Sequence, residues 1–256
     1  MDNKLQKIIL LSSLMLSLVL ILLSFKPKTT FVNMIYNCST VDPSKEIDLL
    51  RDPNDMVFRY VNLPLEYSYG SAAIPLTVST LLSTGDILEL GMGMYSTPLL
   101  HNLGAHLNRQ VVSVETNLEW LNKFIIYNST RTHKLYHLSK SELNLYGLNR
   151  LWGLVFVDHG DAKARNLNVL NFSKLAMIVI VHDAENASED LYNYVKNKLR
   201  DSFKYSCKYS PFSSREKNTW TTSTLILSNF INIDNLKDLF SRISTDYGHV
   251  SCDLNF

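Results

Sequence analysis

ILELGMGMYST, from Ile87 to Thr97, runs from a short apolar stretch directly into two glycines one residue apart. Glycine weakens a strand and packs nothing, so its presence here signals that something lies close to the backbone. Reading outward, the chain alternates regularly. Ala72 to Ser83 predicts a helix broken early by Pro75; Asp86 to Leu90 a strand; Thr97 to Leu107 a helix; Val111 to Glu115 a strand; Leu118 to Tyr127 a helix. A weaker strand is expected near Leu135 to Leu138, then a strand at Leu154 to Asp158 (LVFVD) and a helix around Ala162 to Leu170. The strand Met177 to His182 (MIVIVH) and a helix from Ser188 to Phe203 follow.

Strands that are apolar at nearly every position are buried on both faces, and helix-length connections allow a parallel sheet with right-handed crossovers. The ending differs. Tyr205 to Tyr209 and Thr221 to Leu227 are joined by the polar PFSSREKNTW, too short for a crossover helix, so they are expected to pair as a hairpin. The fold class expected is α/β: a doubly wound, mostly parallel seven-stranded sheet with an antiparallel last strand, plus an N-terminal transmembrane helix.

In such a sheet, ligands bind beyond the carboxyl ends of the strands at the switch point, where the first strand-to-helix turn comes closest. Gly91 and Gly93 fall in that turn, so a nucleotide-like ligand is expected against the backbone. Glu89 ends the strand, and Ser96 or Thr97 is expected to cap the next helix. Glu115 ends the second strand, where a carboxylate can accept hydrogen bonds from both hydroxyls of a ribose. A dinucleotide fingerprint is missing: the third small residue is replaced by Met94 or Tyr95, and Pro98 follows. That disfavours an NAD-type oxidoreductase.

ELGMGMYST and VVSVET resemble two motifs of class I S-adenosylmethionine-dependent methyltransferases. Glu89, Gly91, Gly93 and Glu115 stand at the matching positions, and the terminal hairpin is similar to that family's antiparallel seventh strand. The resemblance covers approximately Gly70 to Asn229 and implies S-adenosylmethionine as cofactor, bound by Glu89, Gly91, Gly93, Ser96 and Glu115. Tyr95 departs from it, because many members have a third glycine there.

LVFVDHGD and MIVIVHDAE place Asp158, His159, Asp161, His182, Asp183 and Glu185 at neighbouring strand ends. Such groups are costly to desolvate without partners, so their concentration points to chemistry. This pattern resembles the metal-assisted catechol-type O-methyltransferases, which implies Mg²⁺ held by Asp158 and Asp183; the family's Asn is replaced by Ala184, and Glu185 or Asp161 would have to supply the missing oxygen. Methyl transfer from a sulfonium requires alignment of an acceptor and removal of its proton, by a metal or by His159 or His182. The catalytic candidates are therefore Asp158, His159 and His182. Tyr67, Tyr69 and Ser71 could close over the site or form an ordinary packed loop.

Composition bounds the partners. The 256 residues carry net charge +1 without a dense basic cluster, which argues against a nucleic-acid surface and leaves a small-molecule acceptor. Cys38, Cys207 and Cys252 show no metal-ligand spacing and leave room for one bridge in an oxidising compartment. Ile8 to Phe25 is uncharged and mostly apolar, about 27 Å long if helical, which nearly spans a bilayer core. It reads as an uncleaved membrane anchor, because it ends in Phe25, Lys26, Pro27 and Lys28 rather than in small residues. The organisation expected is a tail over 1–7, an anchor over 8–25, a stem over 26–60 and a Rossmann-like domain over 61–256. Sequons at Asn37, Asn128, Asn171 and Asn186 lean towards a lumenal or extracellular domain, although the chain's Asn, Ser and Thr content would generate about this many by chance. A catalytically inactive, membrane-attached binding module is the remaining alternative.

Overall fold

Ile87–Leu90 (β1), Val111–Glu115 (β2), His133–His137 (β3), Trp152–Val157 (β4) and Ala176–Val181 (β5) form a parallel array. Tyr205–Pro211 (β6), Thr224–Ser228 (β7) and Gly248–Cys252 (β8) complete one sheet in the order β3-β2-β1-β4-β5-β7-β6-β8. β7 runs antiparallel to β5 and to β6, and β8 antiparallel to β6. The computed structural model describes residues 72–128, 131–185, 199–211, 222–233 and 248–252. The anchor 8–25, the stem 26–60, Tyr67, Tyr69, Ser71 and residues 188–198 of the helix expected over Ser188 to Phe203 lie outside the described residues. No helix among the described residues is long and apolar enough to cross a membrane.

Every residue of β1, β2, β4, β5 and β7 is buried, which is why these strands lack alternation in the sequence. Successive side chains still point to opposite faces, and two apolar layers result. Ile87, Val111, Leu154, Phe156, Ile178 and Ile180 pack with Ile74 and Leu76 of α1 (Ala73–Leu82) and with Leu99, Leu100 and Leu103 of α2 (Ser96–His106). Leu88, Val112, Val155, Val157 and Val179 pack on the other face with Val169 and Phe172 of α5 (Ala162–Phe172). The connection after β2 is slighter than the sequence suggests, and the one after β3 is short as well. The helix expected over Leu118 to Tyr127 divides into α3 (Leu118–Asn122) and a 3₁₀ turn (Ile125–Tyr127), while α4 (Lys140–Leu143) is a single capped turn.

The expectation of seven strands needs correction, because the described residues hold eight. β8 escapes sequence reading because Gly-His-Val-Ser-Cys is short and contains one strong β-former. Its position is fixed by pairing: Cys252 sits opposite Cys207 of β6, and the two form a disulfide. Strand order reverses at β1 and β4, so the crevice where ligands bind in doubly wound sheets lies over the ends of these two strands.

Candidate functional site

Gly91 leaves β1 at φ +93°, a conformation that side-chain-bearing residues rarely adopt. A Cβ there would collide with the backbone carbonyl of Asp158 and lie 2.6 Å from the His159 nitrogen. The nearest neighbour excluding a side chain at this glycine is therefore the exit of β4. Gly93 differs: a Cβ there would meet only the rotatable Ser96 hydroxyl, at 2.7 Å.

Glu115 joins the turn directly. Its Oε2 accepts from the Met92 amide at 3.1 Å, while Oε1 accepts from the Thr116 and Asn117 amides at 2.7 and 2.9 Å. The acid at the end of β2 and the glycine turn after β1 thus line the same point of the crevice. Trp120 strengthens the junction by donating from Nε1 to the Met92 carbonyl at 2.7 Å. Oε1 is fully used and Oε2 retains acceptor capacity, so a ligand hydroxyl would meet Oε2. Tyr95, standing where a third glycine was expected, is buried in the α1–α2 layer with Ile74 and Leu99.

Glu89 sits lower. It is completely buried, with Thr97 Oγ1 donating to both its oxygens (3.1 and 3.0 Å) and Ser113 Oγ donating to Oε2. Burial raises its pKa to about 7, against the lowering effect of the Ser113 hydroxyl. The folded value exceeds the ordinary glutamate value of 4.5, so the stability this group contributes is complete below pH 4.5 and is lost as pH rises through about 7. Thr97 is turned towards Glu89 and also accepts from the Gly93 amide at 3.0 Å, so neither it nor Ser96 caps α2; the cap position is Tyr95, without a side-chain bond. The Ser96 hydroxyl is buried beside Glu89 and, like those of Ser113 and Thr97, favours its ionised form.

The second constellation gathers at the ends of β4 and β5. One ligand atom from each of Asp158, His182 and Asp183 lies within 4.8 Å of the others. His182 Nδ1 approaches Asp158 Oδ1 at 3.4 Å and Asp183 Oδ1 at 3.1 Å. Burial opposes the imidazolium, but the two carboxylates outweigh it and raise His182 to about 10. Burial likewise opposes the charge on Asp183, yet His182 and Arg165 hold its pKa well below the usual carboxylate range. The two carboxylates thus favour the imidazolium form of His182, which holds it between Asp158 and Asp183. His159 points to the opposite face, where its Nε2 meets Asn168 Oδ1 on α5 at 2.9 Å. Burial lowers it to about 4 and keeps it neutral; it is a core histidine rather than a group lining the crevice.

Sequence reasoning missed Arg165. This buried residue of α5 donates from NH1 to Asp183 Oδ2 at 2.9 Å and to the His182 carbonyl at 3.2 Å. Its Nε and NH2 both reach the His159 carbonyl, at 3.0 and 2.6 Å, and NH2 lies 3.4 Å from Asp158 Oδ1. One guanidinium thus clamps the loops after β4 and β5 together. The only signal in the sequence is a cation seven residues after the acid of LVFVD, and that spacing has no meaning until α5 folds back over the strand end.

The donor set does not fit magnesium. Arg165 already supplies positive charge to both carboxylates, the third group is an imidazole, which Mg²⁺ does not favour, and Ala184 is apolar. The oxygens expected to complete the site are engaged elsewhere: Glu185 Oε2 accepts from the Ser223 amide at 3.1 Å and Asp161 Oδ1 from the Ala164 amide at 3.2 Å.

No protein-family model matches the chain, and no curated protein matches it. Solved structures similar to it include methyltransferases. An rRNA methylase from Streptococcus thermophilus shares 10% identity over 66% of this chain and 100% of its own, with a TM-score of 0.46. The METTL16 methyltransferase domain shares 13% identity over 73% of this chain and 82% of its own, with a TM-score of 0.47. A human methyltransferase 10 domain containing protein shares 12% identity over 73% of this chain and 99% of its own, with a TM-score of 0.44.

Proposed function

We propose that the chain is a membrane-anchored S-adenosylmethionine-dependent methyltransferase that methylates a hydroxyl of a small molecule or sugar. The observation that carries this reading is the bond between Glu115 Oε2 and the Met92 amide, which brings the β2-end acid and the glycine turn to one site. The residues there suit the cofactor: Oε2 has capacity for a ribose hydroxyl, and the turn at Gly93 carries no side chain beside it. The apolar run Ile8 to Phe25 supports the anchor, and the Cys207–Cys252 bridge supports a domain in an oxidising lumen or outside the cell.

S-adenosylmethionine supplies, when bound, an electrophilic methyl group on a sulfonium. The chain's part is to orient the acceptor and take its proton. Asp158 Oδ1 faces Arg165 and His182, so Oδ2 of this partly exposed carboxylate is the atom available to a hydroxyl at the mouth of the crevice. An oxygen gaining a methyl group becomes strongly acidic, so a weak base such as a carboxylate suffices to remove its proton. Arg165 and the His182 imidazolium keep Asp158 aligned through that exchange.

Calorimetric titration of the full chain in detergent with S-adenosylmethionine and with NAD tests the reading. Saturable binding of S-adenosylmethionine is expected; binding of NAD alone refutes the proposal. Glu115→Ala should weaken S-adenosylmethionine binding about 100-fold, as removal of a charged hydrogen-bonding group costs roughly 2–3 kcal/mol. Affinity unchanged by that substitution would show that the ligand does not reach Oε2. Separate Asp158→Asn and Asp183→Asn substitutions distinguish an enzyme from a binding module, since turnover should fall while cofactor affinity persists.

A further inference from the structure

Beneath the glycine turn runs a chain of buried polar groups that the mechanism above does not use. His101 on α2, half-buried at the surface, meets His133 of β3 through their Nδ1 atoms at 3.1 Å, with the rings stacked at 5.3 Å. His133 Nε2 meets Ser113 Oγ of β2 at 2.8 Å, and Ser113 donates to Glu89 on β1. Glu89 accepts from Thr97 on its other side, and Thr97 accepts from the Gly93 amide at 3.0 Å. His133, Ser113, Glu89 and Thr97 are each fully buried, so none exchanges protons with solvent directly.

The directions of these bonds are mutually determined. An ionised Glu89 has no proton to give, so Ser113 donates to it and must accept from His133 Nε2–H. His133 is then unprotonated at Nδ1 and accepts from His101 Nδ1–H. One added proton reverses every link: Glu89 donates to Ser113, Ser113 to His133 Nε2, and His133 Nδ1–H to His101 Nδ1, leaving the new proton on His101 Nε2. No atom moves beyond hydroxyl rotation and tautomer exchange, and one proton enters from water at His101 for each one that arrives at Glu89. Thr97 continues to donate to Glu89 in both states, so the turn keeps its shape while the charge below it changes.

We infer that His101, His133 and Ser113 form a proton relay that charges and discharges Glu89 beneath the glycine turn, linking the electrostatics of that turn to solution pH. The charged groups facing Glu89 are few. Asp158 at the end of β4 adds a repulsive charge, Glu115 ends β2, and no cation among the described residues of β1, β2, β4 or α2 contacts it. Both relay histidines are held neutral, His133 at about 3 by burial and by the neighbouring His101, and His101 below its usual value by burial. They therefore pass a proton on by changing tautomer rather than by carrying charge. An ionised Glu89 favours a cationic ligand over the turn; the relay's consequence for affinity rests on the cofactor reading, whereas the relay itself does not.

Histidine ¹⁵N-imidazole NMR of the full chain in detergent, from pH 5.5 to 8.5, is the test. His133 is expected to pass from the Nε2–H form at high pH to the Nδ1–H form at low pH, with a midpoint near neutrality. Glu89→Gln should abolish the transition, and Ser113→Ala should uncouple His133 while leaving Glu89 in place. A single tautomer of His133 throughout, or the same transition in Glu89→Gln, overturns the relay. S-adenosylmethionine affinity should weaken about three- to tenfold between pH 8.5 and 5.5 in the wild type and stay level in Glu89→Gln. A wild type that binds no S-adenosylmethionine at any pH refutes the cofactor reading, and the imidazole signals still decide the relay.

Discussion

Arg165→Ala should lower the unfolding free energy by about 3–5 kcal/mol, the range expected when one partner of a buried ion pair is removed. The loss is large because a single side chain serves several groups. Asp183 forfeits a 2.9 Å charged bond, and the carbonyls of His159 and His182 lose their guanidinium donor inside the protein. Arg165→Lys should recover only part of this, since an ammonium restores charge without the planar fork that reaches two loops at once. Urea midpoints at pH 7 measure both. A control sharpens the result: combining Arg165→Ala with Asp183→Asn should cost less than the sum of the single changes, because the stranded carboxylate disappears with its partner. Full additivity would mean that Arg165 stabilises the protein through packing instead of through the acids it touches.

Reduction of Cys207–Cys252 should cost about 2–4 kcal/mol. The bridge closes a loop with a sequence separation of 45 and ties β8, an edge strand of five residues, to β6. Cys207 belongs to the α1–α2 layer with Ile226 and Tyr209, so loss of the tether loosens a core layer as well as the edge. Thiol titration of the unfolded chain should find one reactive cysteine, Cys38, before reduction and three afterwards. The urea midpoint of the wild type should fall in dithiothreitol, while a Cys207→Ser, Cys252→Ser double variant should show no response to it. Three reactive thiols in protein purified without reductant would sink the prediction.

What was legible in the chain follows from how local each signal is. β1, β2, β4 and β5 announced themselves because burial on both faces demands apolar residues at consecutive positions, and sequence records that directly. Glu115 was legible because strand length and crossover length together determine where an acid at the end of β2 must lie. Arg165 was not, since its partners are 6 to 18 positions away and meet only when α5 lies across the ends of two strands. The polar thread through Ser113 and His133 was equally hidden: a serine inside VVSVE and a histidine opening an edge strand look like isolated exceptions until β2 and β3 are paired side by side. Gly91 is a mixed case. The spacing of the glycines marks a close approach to the backbone, but not that the β4 exit lies on the side-chain side of it.

That last contact sets a limit on how the crevice is built. With the Asp158 carbonyl seated where a Gly91 side chain would have been, the turn after β1 and the acidic loop after β4 touch backbone to backbone. Even a single methyl group at position 91 would have to push these two segments apart, so the closeness of the crevice's two sides is set by the smallest side chain in the sequence.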